Sequence, residues 1–274
     1  MNYRHIFHAG NFADLIKHAI LTELLARMTI GKAPLTVIDT HAGAGLYDLS
    51  GDLARRTGEG TAIAALMADE AAPAAFDALK AAVRRMNEAG VRYYPGSPAL
   101  IAHALRPRDQ LIACETRRDD YETLREMLRQ PAGAFAVRED GWEVARRRTP
   151  RGPAPALVHI DPPYEAADDG VRGAEAVRQV LGRNPAAVIA IWTPIKELAA
   201  FDSLVSGVEA AAHGAPTLLA EVRLRPPDDP MRLNGCAVVT VNPPAELDVR
   251  AGDAAAWIAA ALGDGGGSGG AWRL

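Results

Sequence analysis

One stretch of sequence decides the fold: Leu157-Val158-His159-Ile160-Asp161-Pro162-Pro163-Tyr164. Its first four residues form a short apolar run, which is typical of a buried central strand. Because proline cannot donate to a sheet ladder, the strand must end at Asp161. The two prolines stiffen the turn after the strand, so a carboxylate and an aromatic ring are held where open α/β sheets bind ligands. We call Asp161–Tyr164 the ledge. It suits a planar heterocycle with an exocyclic amine, and the alternative is an ordinary proline-rich turn.

The strands predicted before the ledge end in residues that suit a nucleoside. Leu35–Asp39 is a β-branched strand that runs into the glycine-rich turn Thr40–Gly45, a Rossmann-like opening. The third glycine of the dinucleotide pattern is absent, which favours a nucleoside over a pyrophosphate. Leu111–Glu115 and Phe135–Gly141 are the next predicted strands. Each ends in an acid, and an acid after the second strand commonly binds ribose hydroxyls.

The first helix is predicted over Asn11–Met28, where apolar residues recur at helical spacing behind an asparagine N-cap. Lys17 and His18 are adjacent on it, so their side chains must point in different directions. A later helix, Ala99–Leu105, has Ser97 before it. That serine is predicted either to cap the helix or to bind a ligand.

Composition limits the function classes. The chain has 274 residues, of which 49% are hydrophobic and 23% charged, an ordinary soluble globular composition. No stretch approaches the roughly 20 apolar residues of a membrane span, and no secretory core follows the N-terminus, so a cytoplasmic protein is expected. The net charge of −4 argues against a protein that coats nucleic acid but leaves room for a local basic patch.

The cysteines and histidines favour neither a disulfide nor a metal site. Cys114 and Cys236 lie in apolar strand-like runs, which predicts buried reduced thiols. A zinc site is disfavoured because no common ligand spacing is formed by four histidines: His5, His8, His18 and His41.

The domain organisation departs from simple alternation at two places. Residues 50–92 contain two alanine-rich helical segments, near Thr61–Met67 and Ala74–Glu88. They predict a small inserted helical subdomain, with two plain packing helices as the alternative. Near the end, Leu218–Leu224 and Ala237–Val241 predict a closing antiparallel hairpin. The last residues, 263–274, are rich in glycine and predict a flexible tail.

The predicted fold is therefore α/β, with a single domain over residues 1–262. It has a doubly wound, mostly parallel sheet of about seven strands, closed by the antiparallel hairpin.

Several motifs together resemble one enzyme family. The chain resembles the Rossmann-like class I S-adenosylmethionine (SAM)-dependent methyltransferases in the order of its motifs. These are a Gly-x-Gly turn after strand one, acids after strands two and three, and Asp-Pro-Pro-Tyr after strand four. The last motif is similar to that of enzymes that methylate the exocyclic amine of adenine. Nearly the whole chain resembles the RlmJ-type 23S ribosomal RNA adenine-N6 methyltransferases, through Tyr3-Arg4-His5, Phe7-His8-Ala9-Gly10-Asn11, Ala13-Asp14, Lys17-His18, Asp39–Gly45, Arg92–Pro98 and Ile160–Glu165.

The resemblance implies a role for each site residue. SAM is expected along the carboxyl ends of strands one to four, with Glu115 on its ribose. Asp140 and Gly141 are expected at its adenine, although Asp140 could instead only cap the next helix. The methionine end is expected among five further residues: Lys17, His18, His41, Gly43 and Ser97. The plain alternative for His18 is packing at a helix face.

The resemblance also implies a mechanism at the ledge. Asp161 and the backbone carbonyl of the Pro162 region would accept the two amine hydrogens of the target adenine, so that its lone pair faces the methyl group. Asp161 also counts among the cofactor contacts. Tyr164 would stack on the base, and Tyr3 would lie beside it. No metal is required.

The implied substrate is 23S ribosomal RNA, at the adenine of position 2030, with the RNA protein-free or at an early assembly stage and the enzyme monomeric. Three alternatives remain. The first is methylation of DNA adenine or of a protein glutamine, because related motifs serve all three acceptors. The second is a nicotinamide-dependent oxidoreductase, and the third is an RNA-binding protein that retains SAM without turnover.

Overall fold

The computed structural model describes residues 9–50, 60–166, 168–226 and 232–274. Nine α-helices lie in these ranges: α1 (Phe12–Met28), α2 (Thr61–Ala68), α3 (Asp77–Met86), α4 (Ser97–Ala104), α5 (Arg118–Met127), α6 (Gly141–Arg148), α7 (Asp169–Arg183), α8 (Leu198–Ala212) and α9 (Leu247–Leu262). The described strands are β1 (Thr36–Asp39), β2 (Leu46–Asp48), β3 (Tyr93–Pro95), β4 (Gln110–Cys114), β5 (Ala134–Val137), β6 (Ala156–Ile160), β7 (Val188–Ile195), β8 (Thr217–Arg223), β9 (Gly235–Val241) and β10 (Ser268–Arg273).

The main sheet has eight strands in the order β10-β8-β9-β7-β6-β1-β4-β5. The pairs from β5 through β4, β1 and β6 to β7 are parallel, and β9 pairs antiparallel with both β7 and β8. The predicted Rossmann-like class I methyltransferase fold with its closing hairpin is therefore confirmed. The sheet has one strand more than the predicted seven, because β10 adds to its edge.

Both faces of the sheet are covered by helices. Successive residues of a strand point to opposite faces, so Val37 and Ile38 of β1 belong to two different hydrophobic clusters. One cluster joins the sheet to helices α1 to α5 and α9, and the other joins it to α6, α7 and α8. The central strands are buried on both faces, and this explains why their sequences are apolar runs rather than alternating patterns.

The glycine-rich tail is ordered where it was predicted to be flexible. Ser268–Arg273 forms β10, which pairs antiparallel with β8. A Cβ atom on Gly269 would lie 2.1 Å from the carbonyl oxygen of Ala255 on α9. The glycine thus allows the strand to pack closely against this helix, and the flexible-tail prediction is wrong for these residues.

The helices between β2 and β3 extend the main core. Phe76 packs edge-on against Trp257 of α9 with ring centroids 5.2 Å apart. The Trp257 indole donates to Asp69 Oδ2 at 2.7 Å. Ile63 and Val83, from α2 and α3, belong to the same hydrophobic cluster as α1.

Two further predictions concern burial and membrane spans. Cys114 and Cys236 are buried free thiols, as predicted. Within the described ranges, no helix combines the length and apolar character needed to cross a membrane.

Candidate active site

The parallel strands β1, β4, β5 and β6 bring their carboxyl ends to one edge of the sheet. Asp39 of β1 lies opposite His159 of β6, so the ledge begins beside the glycine-rich turn that follows β1. Tyr164, at the end of the ledge, has a φ of 51°, in the left-handed region that non-glycine residues rarely adopt. Its hydroxyl donates to the backbone oxygen of Trp192 at 2.6 Å, which holds this strained turn in place.

A cleft of about 250 Å³ runs across the turn after β1, and we call it the β1–β4 cleft. It is lined by His18, His41, Ala42, Gly43, Tyr47, Gly96, Ser97, Glu115, Thr116, Arg117, Asp120, Asp161, Pro163 and Glu165. Six of the predicted site residues therefore meet around one cavity.

Glu115 is one of the acidic residues that line this cleft. Its Oε2 accepts from the Gly43 backbone N–H at 3.1 Å, and its Oε1 accepts from the Arg117 N–H at 2.7 Å. Burial raises the pKa of this carboxyl, while the two backbone donors act in the opposite direction. Each carboxylate oxygen has a second lone pair, so the group can still accept from two vicinal hydroxyls.

His41 lines both this cleft and the cavity beside it. Its Nδ1 is 2.8 Å from Thr40 Oγ1, and its ring meets Trp142 edge-on at 5.1 Å. Burial lowers the pKa of His41 from 6.5 to about 4, although Asp161 and Asp39 act in the opposite direction. The imidazole is therefore neutral at physiological pH and adds no positive charge to the cleft.

A second cavity of about 250 Å³ continues the cleft past His41, and we call it the Asp140 recess. Asp140 caps α6 by accepting from the Trp142 N–H at 2.8 Å, and the same side chain also lines this recess, so capping is not its only contact. A Cβ atom on Gly141 would lie 1.9 Å from the Thr40 carbonyl oxygen, which shows how closely α6 begins against the end of β1. Both residues line the recess.

A third cavity, of about 190 Å³, lies on the far side of Pro163, and we call it the Lys17 pocket. Its walls are Asn11, Ala13, Asp14, Lys17, Pro163, Tyr164, Trp192, Pro194, Lys196 and Leu233. Pro163 lines both this pocket and the β1–β4 cleft, so the ledge is the partition between them.

Asp161 and Lys17 are joined across this partition. Lys17 Nζ lies 2.6 Å from Asp161 Oδ2 and 2.9 Å from Asp14 Oδ1. The ammonium is almost fully buried and lies 4.9 Å from the centroid of the Trp192 ring. Charge-assisted contacts of this kind fix the orientation of a carboxylate.

His18 and Ser97 are held by buried partners. His18 Nδ1 is 2.7 Å from the Tyr94 hydroxyl, and the two rings stack. Ser97 is the first residue of α4, and Gly96 occupies the N-cap position, so the prediction that Ser97 caps this helix is wrong. Its hydroxyl instead donates to the buried Asp39 at 2.7 Å.

The structure separates Lys17 from the other residues predicted at the methionine end. Adjacent helical residues point apart, so His18 faces the β1–β4 cleft while Lys17 faces the pocket behind the ledge. Tyr3 lies outside the described residues. Sequence reasoning missed Trp192 and Arg172. The one available signal for Trp192 was its position at the end of an apolar run on the strand beside the ledge.

The donor set of the cleft and recess fits SAM. Carboxylates suit the hydroxyls and the exocyclic amine of its adenosine, and the neutral His41 does not repel a sulfonium cation. In the described part of the chain, no group of three or more histidine, cysteine or acidic residues could hold a metal ion.

The chain is similar to known proteins over most of its length. Residues 32–274 match the family model described as ribosomal RNA large subunit methyltransferase D, RlmJ. Ribosomal RNA large subunit methyltransferase J of Escherichia coli is 30% identical over 260 residues, covering 94% of this chain and 92% of that protein. The Haemophilus influenzae protein of the same name is 30% identical over 253 residues, covering 91% and 90%. The crystal structure of protein LPL1258 from Legionella pneumophila superposes with a TM-score of 0.88, at 26% identity and 97% and 98% coverage.

Proposed function

This chain belongs to the RlmJ family of ribosomal RNA large subunit methyltransferases, and from that premise we propose that it methylates the N6 amine of one adenine in 23S ribosomal RNA. It is a SAM-dependent methyltransferase. We further propose that the acceptor is the adenine at position 2030, which the resemblance implies, and that the residues of the ledge act on this base.

One observation carries the proposal. Asp161 lines the β1–β4 cleft, and the lysine bound to its carboxylate lines the pocket on the other side of Pro163. A methyl donor in the cleft and a planar base in the pocket would meet at this carboxylate. Its chemistry suits an amine acceptor, because a carboxylate accepts N–H hydrogen bonds.

The Lys17 pocket is proposed to hold the target adenine. Pro163, Tyr164 and Trp192 give it flat apolar walls, and stacking of a base on an aromatic side chain is worth about 1–3 kcal/mol. A paired base must leave its helix to enter such a pocket, so an unpaired adenine is the favoured substrate. Tyr3 is proposed to lie beside the base.

The β1–β4 cleft and the Asp140 recess are proposed to hold SAM, which supplies the electrophilic methyl group. Glu115 binds the ribose hydroxyls, and Asp140 and Gly141 meet the adenine ring. The methionine end lies near the remaining residues of the cleft: His18, His41, Gly43, Ser97 and Asp161. Lys17 keeps its place in the active site, but as the partner of Asp161.

The residues of the ledge act on the amine of the base. The lone pair of this amine is delocalised into the ring, so the nitrogen is a poor nucleophile. Asp161 and the carbonyl of Pro162 accept its two hydrogens, which favours a pyramidal nitrogen with its lone pair directed away from the ring plane. Lys17 fixes the carboxylate during this step, so positioning supplies much of the rate. Asp161 then takes the proton.

The substrate is proposed to be 23S RNA that is protein-free or at an early assembly stage, and the enzyme is proposed to act as a monomer in the cytoplasm. The competing acceptors are adenine in DNA and a protein glutamine. The test compares protein-free 23S RNA from a strain that lacks this gene, DNA and peptides, each with labelled SAM, followed by nucleoside analysis. A single N6-methyladenosine product from RNA is expected. Labelling of DNA or peptide alone would contradict the proposed acceptor.

A further inference from the structure

We infer that Arg172 is a positioning residue of the cofactor site, which holds Asp140 so that its carboxylate selects the exocyclic amine of the cofactor's adenine ring. The inference rests on the proposed placement of that ring in the Asp140 recess. Arg172 lies on α7, the helix after the ledge, and it reaches 32 residues back along the chain to the carboxylate.

Both oxygens of Asp140 have a partner. Oδ1 accepts from the Trp142 N–H at 2.8 Å, and Oδ2 accepts from Arg172 Nη2 at 2.9 Å. The close approach of Gly141 to the Thr40 carbonyl fixes the backbone next to the carboxylate. The group is therefore held at three points. Because each oxygen keeps a second lone pair, it can accept from a ligand amine without giving up these contacts.

Arg172 is also fixed from a second direction. Its guanidinium carbon lies 5.2 Å from the centroid of the Trp142 ring, and Trp142 in turn meets His41 edge-on. A planar guanidinium can stack on an aromatic face and donate at its edge at the same time, whereas an ammonium cannot reproduce this geometry. The side chain thus links Asp140 to the aromatic wall of the recess.

Helix geometry gives no local reason for an arginine at this position. Arg172 lies in the first turn of α7, where the helix dipole disfavours a cation. Arg178, later on the same helix, forms an ordinary exposed pair with Glu175 three residues before it. The contacts of Arg172 instead cross to another element and lie inside the recess.

The charges that line the recess also support a positioning role for Arg172. Among the described residues that line it, four are acidic, and Arg172 is the one lysine or arginine: Glu115, Asp140, Glu165, Asp169 and Arg172. The Asp140 and Arg172 side chains are 46% and 39% exposed, so water screens their ion pair in this structure. A ligand that fills the recess displaces this water and strengthens the pair, so part of the binding free energy depends on it.

The test measures binding of S-adenosylhomocysteine, the product of methyl transfer, by calorimetry. Arg172→Gln is expected to weaken binding about tenfold, and Arg172→Lys less, since it keeps the charge but not the stacked fork. Arg178→Gln, on the same helix and also ion-paired, is the matched control and should bind like the unsubstituted protein. Equal affinities for Arg172→Gln and Arg178→Gln would overturn the inference.

A second ligand separates positioning from loss of structure. The hypoxanthine analogue of S-adenosylhomocysteine carries a carbonyl oxygen in place of the amine, so Asp140 should reject it. Arg172→Gln is expected to reduce this selectivity, whereas a general weakening of the site would lower both affinities equally and contradict the inference. Asp140→Asn tests the premise that the adenine ring of the cofactor binds in the Asp140 recess. If it leaves affinity and selectivity unchanged, the adenine ring lies elsewhere, and the proposed cofactor placement fails with the inference.

Discussion

Replacement of Lys17 by methionine tests whether the ion pair behind the ledge serves catalysis. The change keeps an unbranched apolar stem and removes the ammonium that lies 2.6 Å from Asp161 and 2.9 Å from Asp14. Asp161 then loses a contact that fixes its orientation, and two carboxylates of the same charge face one site.

The size of the effect can be worked out from the contacts. Hydrogen bonds to charged groups contribute roughly 1.5–3 kcal/mol. If that contribution holds Asp161 in its reactive orientation, its loss lowers kcat by roughly 10- to 150-fold. The affinity for S-adenosylhomocysteine should change much less, because Lys17 lies on the other side of Pro163 from the β1–β4 cleft.

The assay measures single-turnover methyl transfer at saturating SAM and RNA, together with calorimetric binding of S-adenosylhomocysteine. Lys80→Met is the matched control, because Lys17 and Lys80 are each only 5% exposed. Lys80 donates to the backbone oxygen of Asp69, away from the site. Both variants lose a buried lysine, so both should be less stable than the unsubstituted protein. Only Lys17→Met should have a lower rate of methyl transfer. Equal rates for the two variants would show that the ion pair between Lys17 and Asp161 does not serve catalysis.

Three further predictions concern single residues. The pKa of His41 is about 4 in the folded chain against 6.5 when unfolded, so the unfolded chain binds more protons between these values and stability falls as pH drops through them. Denaturant unfolding should show that the free energy of unfolding falls by about 2 kcal/mol between pH 8 and pH 5 because of this group. His41→Gln should remove that fall. An unchanged pH dependence in the variant would show that His41 is not its source. Glu115→Ala should weaken SAM binding more than it slows turnover at saturating SAM, and unchanged calorimetric affinity would exclude the ribose role. Gly141→Ala should lower the free energy of unfolding by roughly 1–3 kcal/mol, because the new methyl group meets the Thr40 carbonyl; a melting temperature equal to that of the unsubstituted protein would show that this contact is not tight.

The sequence predicts the site best where one physical constraint acts alone. The apolar run before Asp161 and the prolines after it leave little choice but a buried strand and a stiff turn. The acids after β4 and β5 reach the same edge of the sheet because parallel strands share a direction. Glu115 and Asp140 therefore line connected cavities, although they are far apart in the chain.

Prediction fails where two physical causes produce the same residue type. The glycines of residues 263–274 suggest a flexible segment with high chain entropy, but Gly269 instead allows a strand to pack closely on α9. Ser97 before a proline suggests a cap, but its hydroxyl meets Asp39, a residue 58 positions away. Helical spacing shows that Lys17 and His18 diverge, but only the packed structure shows that Lys17 meets Asp161.

We propose that Asp161, on the partition between the two cavities, acts on the amine of the target adenine during methylation. The most direct measurement is methyl transfer from labelled SAM to protein-free 23S RNA by Asp161→Ala, with binding of S-adenosylhomocysteine measured on the same sample. We expect a folded variant that still binds the ligand and forms N6-methyladenosine on the order of 10²- to 10⁴-fold more slowly. Turnover like that of the unsubstituted protein would contradict it.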